Sequence, residues 1–153
     1  YFTKANFIKN IFSSLSIREI LISIMISLLC ISIESVIFLL KYKKITFLKI
    51  EKDCFTVFLL LTLIIPAIEE FIFRGCIYCI CEEYFNTKIP FILISSVCFG
   101  LNHIIYPKIN IFTKFIWGIL LSLELIFFNN LFCTIITHIL CNLFIYFMGK
   151  KQK

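Results

Sequence analysis

The length of the apolar runs limits this chain more than any other feature. Nearly unbroken runs extend from about Ile20 to Leu40, Cys54 to Cys81, Ile89 to Tyr106, Lys114 to Phe128 and Leu131 to Met148. A membrane-crossing helix needs ~20 apolar residues and a membrane β-strand only ~9–11. Runs of this length therefore read as helices that use a bilayer as solvent. Composition points the same way: 61% of residues are hydrophobic and 16% charged, against ~45–50% and ~25% in an average soluble domain. A soluble fold of 153 residues has too much surface for its volume to hide that apolar load. The expected fold is all-α: a multi-pass transmembrane helical bundle of about five membrane helices.

The N-terminal stretch has a different pattern. Phe7, Ile8, Ile11, Phe12 and Leu15 share one helical face, and Lys9, Asn10, Ser13, Ser14 and Ser16 fall elsewhere. That pattern fits an interfacial amphipathic helix, or equally a frayed tail before the first span. The chain divides accordingly: 1–18 amphipathic or flexible, 19–53 the first membrane helix and a basic loop, 54–149 the main membrane domain, and 150–153 a basic tail. It opens on Tyr1 rather than Met, which leaves room for upstream helices.

The net charge of +6 does not indicate nucleic acid. The lysines cluster between apolar runs, where flanking charges of membrane helices belong, and not along one soluble face. Lys41, Lys43, Lys44, Lys49 and Lys52 share one loop, Glu82 and Glu83 dominate the next, Lys108 and Lys114 mark the third, and Lys150, Lys151 and Lys153 end the chain. Alternation of this kind places the Lys41–Asp53 loop and the C-terminus in the cytosol, with Lys4, Lys9 and Arg18 as exceptions. The 8 cysteines sit mostly inside apolar runs, where Cys behaves as a small hydrophobe. Cys76, Cys79 and Cys81 have a metal-like spacing, but no second pair completes a ligand set. The first apolar run is too long for a signal peptide and no small-residue cleavage site follows it.

Ionisable groups at membrane depth are costly, ~2.5–3.5 kcal/mol each on insertion scales, so each calls for a functional explanation. In Pro66-Ala67-Ile68-Glu69-Glu70-Phe71-Ile72-Phe73-Arg74-Gly75, Glu70 and Arg74 are i,i+4 and can pair. Glu69 is rotated by about 100° from that pair and is left free. An ion pair between helices explains Glu70 and Arg74 but not the second acid. Phe99 and His103 are also i,i+4, as are His138 and Asn142. Each taken alone fits a satisfied core histidine or a helix–helix hydrogen bond. Glu34 and Glu124 also lie in apolar runs and read as interface residues bonded within the bundle.

Together, a free carboxylate, two imidazoles and an amide on three apolar helices suit hydrolysis. Glu69 can act as general base on water with His103 polarising it, and His138 and Asn142 can donate to an oxyanion. Alternatively, Glu69, His103 and His138 hold a zinc whose bound water attacks. No Ser or Cys is evidently paired with a base.

The order Glu69-Glu70…Arg74, Phe99…His103, His138…Asn142 resembles the CAAX protease and bacteriocin-processing family, which includes the Ras-converting CAAX prenyl endopeptidases. That family shows E-E-x-x-x-R, F-x-x-x-H and H-x-x-x-N on successive membrane helices, and the resemblance spans roughly residues 55–148. It implies cleavage of a peptide bond in a peptide or prenylated protein substrate, within a multi-pass integral membrane protein of the endoplasmic reticulum or, in a bacterium, of the cell membrane. It implies Glu69 as catalytic base, Glu70 and Arg74 as its structural support, His103 at the water, and His138 and Asn142 at the oxyanion. Both metal-dependent and metal-free glutamate mechanisms are held for the family, so the cofactor is zinc or none. With about five spans, the chain is shorter than many members. Two other classes compete: a non-proteolytic adaptor or bacteriocin-immunity-type protein that retains the fold, and a transporter whose acids relay protons. The intact motif set favours the enzyme.

Overall fold

A computed structural model describes residues 11–43 and 54–151. The residues from Phe7 to Asn10 and most of the Lys41–Asp53 loop lie outside the described residues. The described chain is helical: α1 Ile17–Tyr42, α2 Phe55–Tyr84, α3 Ile89–Leu101, α4 Lys108–Phe128 and α5 Leu131–Lys151. Ser16 starts α1 with a capping box: its hydroxyl accepts from the Glu19 N–H while the Glu19 carboxylate accepts from the Ser16 N–H. These bonds satisfy backbone donors that a helix start leaves unpaired. Lys43 ends α1 in the left-handed region at φ 54°.

Four helices, α1, α2, α4 and α5, are long and apolar enough to cross a membrane. The third expected span is shorter than its apolar run suggested. α3 has 13 residues, about 20 Å of helix against ~30 Å of hydrocarbon. Residues 102–106 turn back through tight bonds such as His103 N–H to the Gly100 carbonyl and Ile104 N–H to the Leu101 carbonyl. Pro107 follows, and a proline pushes the residue before it out of helical geometry. α4 then begins at Lys108, not at Lys114. Lys114 is consequently no loop cation: it lies buried within the bundle, paired with Glu34 across α1.

α2 is interrupted twice by π-helical turns, Leu60–Ile64 and Phe71–Cys76. Pro66 explains the first. It has no N–H, and in a straight helix its ring would collide with the carbonyl four residues earlier. A π turn widens the helix there. The Ile65 N–H bonds to the Leu60 carbonyl, and Pro66 offers nothing to the Leu61 carbonyl, which is left for a side chain. In the second turn the Ile77 N–H bonds to the Ile72 carbonyl, and the hydroxyl of Ser95 donates to the Phe73 carbonyl at 2.8 Å.

Helices α3 and α4 meet along small residues. A Cβ added to Gly118 would lie 2.6 Å from the Ser96 Cα, and one added to Gly100 would lie 2.9 Å from the Ile111 carbonyl oxygen. Such close backbone approach is how helices associate where lipid removes the hydrophobic drive between them. Polar bonds tie α1 to the rest. The Trp117 indole N–H donates to the Cys30 carbonyl at 3.1 Å, and Ser23 and Thr137 hydroxyls both donate to Glu124 Oε1, at 2.7 and 2.8 Å. The Glu34 and Glu124 carboxylates are thus both bonded at helix interfaces. Large apolar side chains such as Leu21, Met25, Leu40, Phe55 and Phe127 are exposed on the outside, as a lipid-facing surface requires.

Candidate active site

α2 carries two adjacent acids and sends them to different places. Glu70 is fully buried, and its Oε1 accepts from Arg74 Nη1 at 3.0 Å, the pairing that i,i+4 spacing suggested. Arg74 also donates through Nη2 to the Gly118 carbonyl at 3.3 Å and lies 4.4 Å from the centre of the Phe99 ring. His138 donates from Nδ1 to the same Glu70 oxygen at 2.8 Å. Two cationic or donor partners on one carboxylate oxygen offset much of its desolvation cost.

Glu69, about 100° around the helix, lines a cavity of about 430 Å³ together with Asn102, His103 and Asn142. Asn102 donates from Nδ2 to Glu69 Oε1 at 2.7 Å. Glu69 Oε2 faces His138 Nε2 at 3.6 Å. His138 therefore spans the two acids, one ring nitrogen toward each, and is only 2% exposed. His103 donates from Nδ1 to the Phe99 carbonyl at 3.0 Å. That bond sets the tautomer and leaves Nε2 as an acceptor. Phe99 is the hub: its ring meets His103 edge-on at 5.3 Å, His138 at 5.4 Å and Phe73 at 5.5 Å. Asn142 donates from Nδ2 to the Leu61 carbonyl at 3.0 Å, the oxygen that Pro66 leaves without a backbone partner. A primary amide has two N–H bonds, so one remains to serve the cavity that Asn142 lines.

The six residues singled out beforehand, Glu69, Glu70, Arg74, His103, His138 and Asn142, thus lie in one connected region. Glu70, Arg74 and His138 are sealed inside, whereas Glu69, His103 and Asn142 stand on the cavity wall. Asn102 was missed. It precedes His103 in the turn after α3, and nothing in its spacing marks it as a partner of an acid 33 residues earlier. Among the described residues, no three His, Cys, Asp or Glu side chains gather as a ligand set for a metal ion. Glu69, His103 and His138 are not gathered into such a set. The zinc arrangement does not fit this geometry.

A sequence model of one family, described as type II CAAX prenyl endopeptidase Rce1-like, matches residues 52–144. The chain belongs to the Rce1-like family. The matched stretch contains both acids, Arg74, Phe99, both histidines, Asn102 and Asn142, and excludes α1. Comparison with curated proteins and with solved structures gives no match. Membership of the Rce1-like family, with four long apolar helices, makes this an integral membrane protein of a CAAX-type protease family, whose substrates are peptides or prenylated proteins.

Proposed function

We propose that this Rce1-like chain is an intramembrane endopeptidase that hydrolyses a peptide bond of a prenylated, membrane-associated substrate, with Glu69 as general base. The observation that carries the reading is the unequal fate of the two acids. Glu70 is occupied by Arg74 and His138, while the Glu69 carboxylate is held at the cavity wall by one amide donor. A base needs to reach water, and Glu69 is the acid with that access.

The steps follow from the donors and acceptors. His103 Nε2 accepts a hydrogen bond from the attacking water. Glu69 takes a proton as the water oxygen adds to the scissile carbonyl carbon. The free N–H of Asn142 donates to the oxyanion that forms. The proton then passes from Glu69 to the departing nitrogen as the C–N bond breaks, which yields a carboxylic acid and an amine. His138 is better placed to support the buried Glu70 than to meet an oxyanion, because it is itself buried and its Nδ1 is bonded to Glu70. The cavity is lined from the C-terminal half of α1, the N-terminal half of α2 and the C-terminal half of α5. These ends carry the lysine-rich segments, so the cavity faces the cytosol.

Two measurements test this. Purified chain in proteoliposomes is given a farnesylated CAAX-type peptide, and cleavage by wild type is compared with Glu69→Gln. Equal turnover by a folded Glu69→Gln variant removes the protease reading. A cysteine introduced at Lys151 should label from the cytosolic side only, and labelling solely from outside reverses the orientation.

A further inference from the structure

The turn after α3 brings two consecutive residues, Asn102 and His103, to the cavity that Glu69 lines. His103 is pinned: its Nδ1 donates to the Phe99 carbonyl at 3.0 Å, and its ring meets Phe99 edge-on at 5.3 Å. Asn102 reaches across to α2 and donates from Nδ2 to Glu69 Oε1 at 2.7 Å. Backbone bonds tie the turn itself, from the Asn102 N–H to the Cys98 carbonyl at 2.9 Å and from the Tyr106 N–H to the His103 carbonyl at 3.0 Å. His138 Nε2 lies 3.6 Å from Glu69 Oε2, beyond hydrogen-bond length. Among the described residues, Asn102 is thus the group that holds the Glu69 carboxylate. The kind of donor is informative. Glu70, one residue on, is met by the Arg74 guanidinium, whereas Glu69 is met by a neutral amide. A cation would hold a carboxylate more tightly but would make it a weaker base. An amide orients it and leaves its charge in place.

We propose that Asn102 is a positioning residue for the hydrolysis: its amide fixes the plane of the Glu69 carboxylate and, through the tight turn it shares with His103, the separation of the base from the imidazole that meets the same water. The inference rests on the reading of Glu69 as the base. Asn102 transfers no proton and acts through Glu69. Glu69 belongs to α2 and His103 to the turn beyond α3, so the bond carries register from one element to the other. An unheld glutamate turns about several side-chain bonds. A misplacement of about 1 Å in a reacting group can cost about 10²-fold in rate. The bond thus does more for the geometry of the reaction than for the stability of the bundle, because one hydrogen bond between membrane helices contributes little to folding.

The test measures initial rates of the full chain in proteoliposomes over a range of concentrations of a farnesylated CAAX-type peptide. Asn102→Leu removes the donor at similar size. It should lower kcat by about 10²-fold with KM within about 2-fold, while the thermal midpoint in detergent stays within a few degrees of wild type. A second background separates positioning from folding. Added to Glu69→Gln, Asn102→Leu should slow the residual rate by less than about 2-fold, because residues that act as a unit are not additive. Asn102→Ala serves the same comparison if leucine disturbs the turn. Wild-type turnover in a folded Asn102→Leu or Asn102→Ala chain, with Glu69→Gln slowed, overturns the proposal and leaves Glu69 as the base. An equal further loss in the Glu69→Gln background, or failure of both Asn102 variants to fold, makes Asn102 part of the frame and overturns it as well. A rise in KM with kcat unchanged overturns it in favour of a substrate contact. Undiminished turnover by Glu69→Gln, or no cleavage by wild type, removes the protease reading and the positioning role with it.

Discussion

The bundle holds two polar regions that differ in who completes their hydrogen bonds. In the sealed region Glu70, Arg74 and His138 bond to one another through Glu70 Oε1, with Gly118 and the Phe99 ring closing the group, while Glu70 Oε2 and Arg74 Nε are buried with no partner among the described residues. At the cavity wall, Glu69, His103 and Asn142 each make one bond to the protein and keep one side open. The sealed groups hold three helices in register. The open groups are oriented by that frame and keep capacity for water and substrate. Adjacent positions on one helix serve both purposes because a single residue step turns the side chain by about 100°.

The contrast predicts opposite phenotypes for two equivalent changes. Glu69→Gln should lower the rate of cleavage by about 10²–10⁴-fold, the usual range for a lost general base, while the thermal midpoint in detergent stays within a few degrees. Glu70→Gln should act on folding. It leaves Arg74 buried without its counter-charge at a cost of roughly 3–5 kcal/mol, read as a lower yield of folded monomer by size-exclusion chromatography. If Glu70→Gln folds normally and only loses turnover, the sealed region is catalytic and the distinction fails.

Asn142→Ala sharpens the open side. Loss of one oxyanion donor should reduce kcat by about 10²–10³-fold with KM little changed, because the oxyanion exists only along the reaction path. A rise in KM alone would instead make Asn142 a binding residue. Gly118→Ala probes the frame. The new methyl would press on the Ser96 backbone, and overpacking of this kind costs about 1–3 kcal/mol. It should lower the thermal midpoint and also the rate, since the Gly118 carbonyl is a partner of Arg74. Unchanged stability would mean that the α3–α4 seam has slack.

Much of this arrangement could be read from local spacing. Run length identified four long apolar helices but overstated α3, and i,i+4 spacing paired Glu70 with Arg74 and set His103 beneath Phe99. These relations depend on one helix at a time. What depended on two helices was hidden. Lys114 resembled a loop cation because an apolar run does not show where a turn at Asn102–Tyr106 will end one helix and start the next. The bond from Asn102 to Glu69 joins residues whose proximity is set by how α3 leans on α2. Pro66 was visible, but its consequence, a Leu61 carbonyl captured by Asn142, required knowing that α2 widens instead of kinking or breaking.

That widening supplies the smallest and most exact comparison between the two regions. Each π turn of α2 has a carbonyl met by a side chain: Leu61 by Asn142 on the cavity wall, and Phe73 by Ser95 in the sealed interior. The two bonds are similar in length, 3.0 and 2.8 Å, and hydrogen bonds between membrane helices average only about 0.6 kcal/mol. Ser95→Ala should therefore lower stability by about 0.6 kcal/mol and leave turnover within about 2-fold, measured by thermal unfolding and peptide cleavage on the same preparation. Asn142→Ala should show a comparable loss of stability from its own carbonyl bond, accompanied by the far larger fall in kcat. The difference would belong to the second N–H of Asn142, which faces the cavity and has no counterpart in a serine hydroxyl. If Ser95→Ala slows cleavage as much as Asn142→Ala does, then the π turns govern activity through the shape of α2, and Asn142 owes its effect to the Leu61 carbonyl and not to an oxyanion.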